Sequence, residues 1–76
     1  MEIRQLETFV HVAQLQSFSR AAEVLGYTQS AITVQIRLLE KELETRLFDR
    51  TGKRVVLTPS GKEFMEHASR ILYDIN

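Results

Sequence analysis

The sequence predicts a mainly α-helical domain with one two-stranded hairpin, and three observations carry that prediction. Apolar residues recur at spacings of three and four through most of the 76 positions, which is the stripe of amphipathic helices. Capping residues, together with Gly26 and Pro59, punctuate this pattern where helices would stop and start. Between Arg46 and Leu57 the stripe gives way to two short runs of β-branched or aromatic character around Thr51-Gly52-Lys53, a hairpin signal.

The first segment, Glu2 to Gln14, places Ile3, Leu6, Phe9, Val10 and Ala13 on one helical face. Gln16-Ser17-Phe18-Ser19 then breaks the stripe and offers two serine N-caps. A short helix follows, Arg20-Ala21-Ala22-Glu23-Val24-Leu25, which Gly26 can end in the left-handed conformation. Thr28 is the natural N-cap of a third helix running from Gln29 to about Glu44. On its wheel Ile32, Ile36, Leu39 and Leu43 share an arc of about 60° that faces a core, while Gln29, Ser30, Thr33 and Arg37 share another of about 100°, with Val34 just beyond. A face selected for solubility alone would carry Glu and Lys, as this helix does further on at Glu40-Lys41-Glu42. The hairpin has only two strands and must lean on the helices. Thr58 and Pro59 restart a helix, as N-cap and first helical residue. Along it Phe64, Ala68, Ile71 and Ile75, widened by Met65 and Leu72, form a seam of coiled-coil type. That seam is still running at Asn76, which reads either as the N-terminal piece of a longer protein or as a natural end that frays.

Composition narrows the function. The chain is short enough that folding buries only about 60% of the surface its unfolded form exposes, and it lacks Cys, so disulfides and thiolate zinc sites are excluded. No apolar run approaches the roughly 20 residues that cross a bilayer, and the N-terminus has no export signal, so a cytoplasmic location without membrane contact is expected. His11 and His67 stand on different helices with no carboxylates at ligand spacing, and no nucleophile–base pair or glycine-rich phosphate loop occurs, so neither metal, cofactor nor catalysis is expected. Ten basic residues balance ten acidic ones, which argues against a nucleic-acid partner until their placement is considered. From Arg46 to Lys62 there are five basic residues and one acidic. The neutral total averages two unlike regions.

A short helix, a tight turn with Gly26 and a second helix with one buried and one polar face make a helix-turn-helix, spanning about residues 18–37. The major groove of B-DNA admits one such helix, whose N-terminal side chains reach base edges. Gln29 can pair with adenine N6 and N7, and Thr33 can bond a base or touch a thymine methyl. The basic hairpin suits a narrow minor groove, whose enhanced negative potential attracts Arg and Lys.

Across nearly its whole length the sequence resembles the N-terminal winged helix-turn-helix domain of LysR-type bacterial transcriptional regulators. The resemblance is carried by Arg4-Gln5-Leu6-x-x-Phe9, Ser17-Phe18-Ser19-Arg20-Ala21-Ala22, Leu25, Thr28-Gln29-Ser30-Ala31-Ile32, Gln35-Ile36-Arg37-x-Leu39-Glu40, Leu43, Leu47-Phe48-x-Arg50 and Leu57-Thr58-Pro59-x-Gly61. It implies a three-helix core, a two-stranded wing at about 46–57 and a C-terminal linker helix that pairs two subunits, with residues 1–58 as the DNA-binding domain and 59–76 as the start of the dimerisation helix. It further implies double-stranded operator DNA as partner, a homodimer or at full length a homotetramer, and a later domain of periplasmic-binding-protein type for a small-molecule inducer. On this reading Gln29, Ser30, Thr33 and Val34 contact bases; Ser19, Arg20, Thr28, Arg37, Arg50, Lys53 and Arg54 contact the backbone or minor groove; and Phe64, Ala68, Ile71, Leu72 and Ile75 dimerise.

Two positions depart from the family pattern, which usually has Pro at Ser30 and a basic residue at Val34. Ser30 adds a donor, whereas Val34 removes a phosphate or guanine contact and leaves a thymine methyl or the sugar backbone as its target. Simpler readings also exist. Gln29 and Thr33 can be solvated, Arg37 can pair with Glu40 and Arg20 with Glu23, and Lys53 and Arg54 can be a solvated hairpin tip. The last helix can divide its seam between the first helix and a second subunit. A protein-interaction module with the same fold would dock a partner on the polar face of the third helix.

Overall fold

In the computed structural model, which describes residues 1–51 and 54–75, the chain forms α1 (Ile3–Leu15), α2 (Phe18–Leu25), α3 (Gln29–Leu43), β1 (Phe48–Thr51), β2 (Arg54–Leu57) and α4 (Pro59–Ile75). Local chemistry fixes the helix ends. The Ser17 hydroxyl accepts the Arg20 amide at 3.1 Å and starts α2, so Ser19, the other capping candidate, lies inside its first turn. Gly26 ends α2 at φ +76°, a conformation that strains any residue with a Cβ. The Thr28 hydroxyl accepts the Ala31 amide at 3.1 Å and starts α3. Gln16 and Glu44, neither of them glycine, end α1 and α3 in the left-handed region.

Packing is organised around α1, which touches α2, α3 and α4. It therefore buries more than the single expected stripe: Thr8 and Val12 are fully buried beside Leu6, Phe9 and Val10, whereas Ile3 stays 47% exposed in the first turn. The Thr8 hydroxyl is buried, with no hydrogen-bond partner among the described residues. The inner face of α3, Ile32, Ile36 and Leu39, meets α1 as the wheel requires, with Leu43 packed at the margin. An aromatic chain ties the elements together. Phe9 lies 5.2 Å from Phe48 and 5.1 Å from Phe64 between ring centroids, and Phe48 lies 5.9 Å from Phe18. Such pairs add to plain apolar burial.

The hairpin is antiparallel, with Phe48 opposite Leu57 and Arg50 opposite Val55. Its base is clamped by the start of α4. The Thr58 amide donates to the Leu47 carbonyl at 3.0 Å, and the Thr58 hydroxyl donates to the Arg46 carbonyl at 2.6 Å while accepting the Gly61 amide at 2.9 Å. Gly61 rests directly on the Leu47 carbonyl, where a Cβ would collide with the oxygen. The first half of α4 thus shares the core of residues 1–58.

Candidate nucleic-acid interface

The exposed end of α3 presents polar groups and unpaired backbone donors together. With Ala31 and Ile32 donating to Thr28, the amides of Gln29 and Ser30 have no partner among the described residues. They form the positive end of the helix. The Thr28 hydroxyl accepts a bond as cap and keeps its own proton to donate outward. Gln29, Ser30, Val34 and Arg37 are exposed and Thr33 is half-buried. Ser19 and Arg20 are exposed on α2, and Ser19, its hydroxyl 3.1 Å from that of Ser17, lines a shallow depression with Gln29 and Arg50.

Between α3 and β1 runs an open groove of about 750 Å³, with Gln29, Thr33 and Arg37 on one wall and Arg46, Asp49 and Arg50 on the other. The Arg50 guanidinium lies 4.8 Å over the Phe18 ring, a cation–π contact that orients it without neutralising it. Arg46 is engaged locally, 3.7 Å from Asp49 and donating to the Phe48 carbonyl at 3.4 Å. Among the described residues Arg20, Arg37, Arg50 and Arg54 make no ion pair, so the pairings of Arg20 with Glu23 and of Arg37 with Glu40 do not form.

Glu40 has another task that the sequence reading missed. Its carboxylate accepts the Leu47 amide at 2.7 Å and the Phe48 amide at 3.4 Å, holding the root of the wing against α3. The partners lie seven and eight residues away across a chain reversal, and no local sequence pattern signals such a bond.

The expected dimerisation seam divides. Ala68 is fully buried within the chain and leaves no surface for a second copy, and Phe64 packs edge-on against Phe9. Met65 and Leu72 pack partly buried against the same core, because α4 lies along α1. The burial of Ala68 corrects the expectation for that residue, whose side chain serves the core of a single chain, while Phe64 and Leu72 are only partly buried. Ile71 is 40% exposed beside the buried side of α4, and Tyr73, 82% exposed, stands on the opposite side of the helix. Lys53 and the side chain of Ile75 lie outside the described residues.

A three-helix core whose second and third helices form a helix-turn-helix, followed by an antiparallel wing, defines a winged helix-turn-helix domain. Residues 3–62 match the family described as bacterial regulatory helix-turn-helix protein, lysR family, and the chain belongs to that family. It is 46% identical over 72 residues to the HTH-type transcriptional regulator YwqM of Bacillus subtilis (strain 168), covering 95% of this chain and 25% of that protein. It superposes on the crystal structure of a BenM DBD complex with benA site 1 DNA with a TM-score of 0.94 at 39% identity, covering 99% of this chain and 84% of that one. Against a CbnR DBD–DNA complex the TM-score is 0.92 at 40% identity, covering 96% and 84%. The chain spans about a quarter of the length of most of the curated relatives it matches, 25% for YwqM. Among the described residues no helix is long and apolar enough to cross a membrane.

Proposed function

We propose that this chain is the sequence-specific DNA reader of a cytoplasmic, non-catalytic transcription regulator. In this reading α3 enters the major groove, the wing lies at the minor groove, and the exposed Ile71 side of α4 pairs two copies. The observation that carries it is the groove between α3 and β1, where Arg37 and Arg50, in no ion pair among the described residues, stand with Gln29 and Thr33 next to the unpartnered amides of Gln29 and Ser30. A cation left unpaired beside a helix N-terminus is suited to phosphate oxygens. The likeness to the BenM and CbnR domains solved in complexes with DNA supports DNA as the partner. Gln29 and Thr33 read bases, and Val34, half-exposed at 50%, offers a methyl surface to thymine. Ser30 serves as a base-edge donor, while Ser19, Arg20, Thr28, Arg37 and Arg50 hold phosphates and Arg54 reaches the minor groove from β2. A small-molecule inducer acts on a longer protein, outside these residues.

A mobility-shift titration with duplexes selected from a randomised pool, repeated at several salt concentrations, tests the reading. Log K is expected to fall by about 0.9 per phosphate neutralised for each decade of salt. Failure to select any duplex, or an affinity indifferent to salt, points instead to a protein partner on the α3 face.

A further inference from the structure

We infer that Glu40 is a positioning residue that sets the wing at a fixed angle to α3 and thereby couples the reading of flanking base pairs to the reading of the central site. This rests on the DNA-reading function proposed above. The Leu47 peptide is gripped from both sides: its amide donates to the Glu40 carboxylate at 2.7 Å, and its carbonyl accepts the Thr58 amide at 3.0 Å. One grip belongs to α3 and the other to the start of α4, so the root of β1 is referenced to the recognition helix through Glu40. The bond is charge-assisted and partly buried, which makes it a stiff tie. Only residues 44–47 separate the end of α3 from β1, and among the described residues Glu40 supplies the side-chain hydrogen bonds from α3 to the root of the wing, one to Leu47 just before β1 and one to Phe48 at its start.

A second consequence concerns charge. Glu40 lines the same groove as Arg37, Arg46 and Arg50. Because its carboxylate is directed to backbone amides, Arg37 stays free of an ion pair. One residue therefore both aims the wing and leaves a cation on the α3 face available.

The test compares Glu40→Ala and Glu40→Gln in the 76-residue chain. Gln keeps an acceptor oxygen at the same reach, so rescue by Gln separates hydrogen-bonded positioning from bulk charge. In the free protein, residual dipolar couplings of the β1 and β2 amides measure wing orientation relative to α3. Glu40→Ala is expected to change these couplings while leaving those of α1 to α3 unaltered, and Glu40→Gln is expected to restore them. On duplexes selected from a randomised pool and remade with A/T-rich or G/C-rich flanks, Glu40→Ala is expected to lose about fivefold or more of the flank preference, with discrimination at the central base pairs retained. Unchanged couplings and flank preference in Glu40→Ala, equal loss at flanks and centre, failure of Glu40→Gln to restore either, or loss of cooperative folding in Glu40→Ala each overturns the inference. Should the unmodified chain select no duplex, the DNA reading fails, and the couplings still decide whether Glu40 fixes the wing.

Discussion

The guanidinium of Arg50 lies 4.8 Å over the ring of Phe18, joining strand β1 to the first turn of α2. Phe18 is itself 5.9 Å from Phe48, so the cation stands on an aromatic stack that extends into the core. This holds a positive charge in the lining of the groove that Gln29 shares, with no carboxylate bound to it among the described residues. Arg50→Lys is expected to keep much of the affinity at low salt and lose the planar stacking, whereas Arg50→Ala is expected to reduce the salt slope by about one phosphate. Salt titrations of the two variants beside the parent check this, and equal slopes for all three count against a phosphate contact.

Gln29 occupies the first turn of α3, exposed, with its backbone amide unpartnered. Gln29→Ala is expected to cost about 1 to 3 kcal/mol on a selected site and to relax preference at one base pair. Competition with a panel of single-base variants measures both. A uniform weakening on all sequences reassigns Gln29 to the backbone.

At the other end of the domain, Gly61 owes its identity to a close approach. A methyl there meets the Leu47 carbonyl oxygen, and Leu57 Cδ2 stands 3.0 Å from the same position. Gly61→Ala is expected to push α4 off the hairpin and destabilise the fold by about 1 to 3 kcal/mol. Urea denaturation reads the change as a lower midpoint, and an unchanged midpoint removes the clash from the account.

Glu44 ends α3 at φ +54° and ψ 39°, with its amide donating to the Lys41 carbonyl at 3.2 Å. An L-residue with a Cβ is strained there and glycine is not. Glu44→Gly is expected to leave stability unchanged or raise it by about 1 kcal/mol, in contrast to the loss that Gly produces inside a helix. Thermal melting at fixed salt checks the sign.

Ile71 stands 40% exposed on α4, where Ala68, one turn before it, is buried against the rest of the chain. Ile71→Asp is therefore expected to weaken pairing of two chains with little effect on folding. Sedimentation equilibrium together with thermal melting separates the two. A dimer of unchanged strength places pairing on another face, and a large drop in melting temperature places Ile71 in the core.

Much of the secondary structure was legible because its determinants are local. Ser17, Thr28 and Thr58 each cap a helix by accepting an amide three residues ahead, and Gly26 needs only its own backbone freedom. The polar arc of α3 could likewise be drawn on a wheel, and the structure keeps Gln29, Ser30 and Arg37 exposed on it. By itself, then, the sequence determined the helix-turn-helix, the hairpin that follows it and the uneven placement of a charge that sums to zero. Tertiary structure alone decided what the side chains between elements do. It directed Glu40 to the Leu47 amide and left Arg37 and Arg20 without ion pairs among the described residues; it also buried Ala68 within one chain and pressed Gly61 onto Leu47. The physical reason is separation along the chain. A cap reaches three residues, within one turn of backbone, whereas these contacts exist only after α1 has gathered α2, α3 and α4 around itself and brought the root of the wing against the recognition helix.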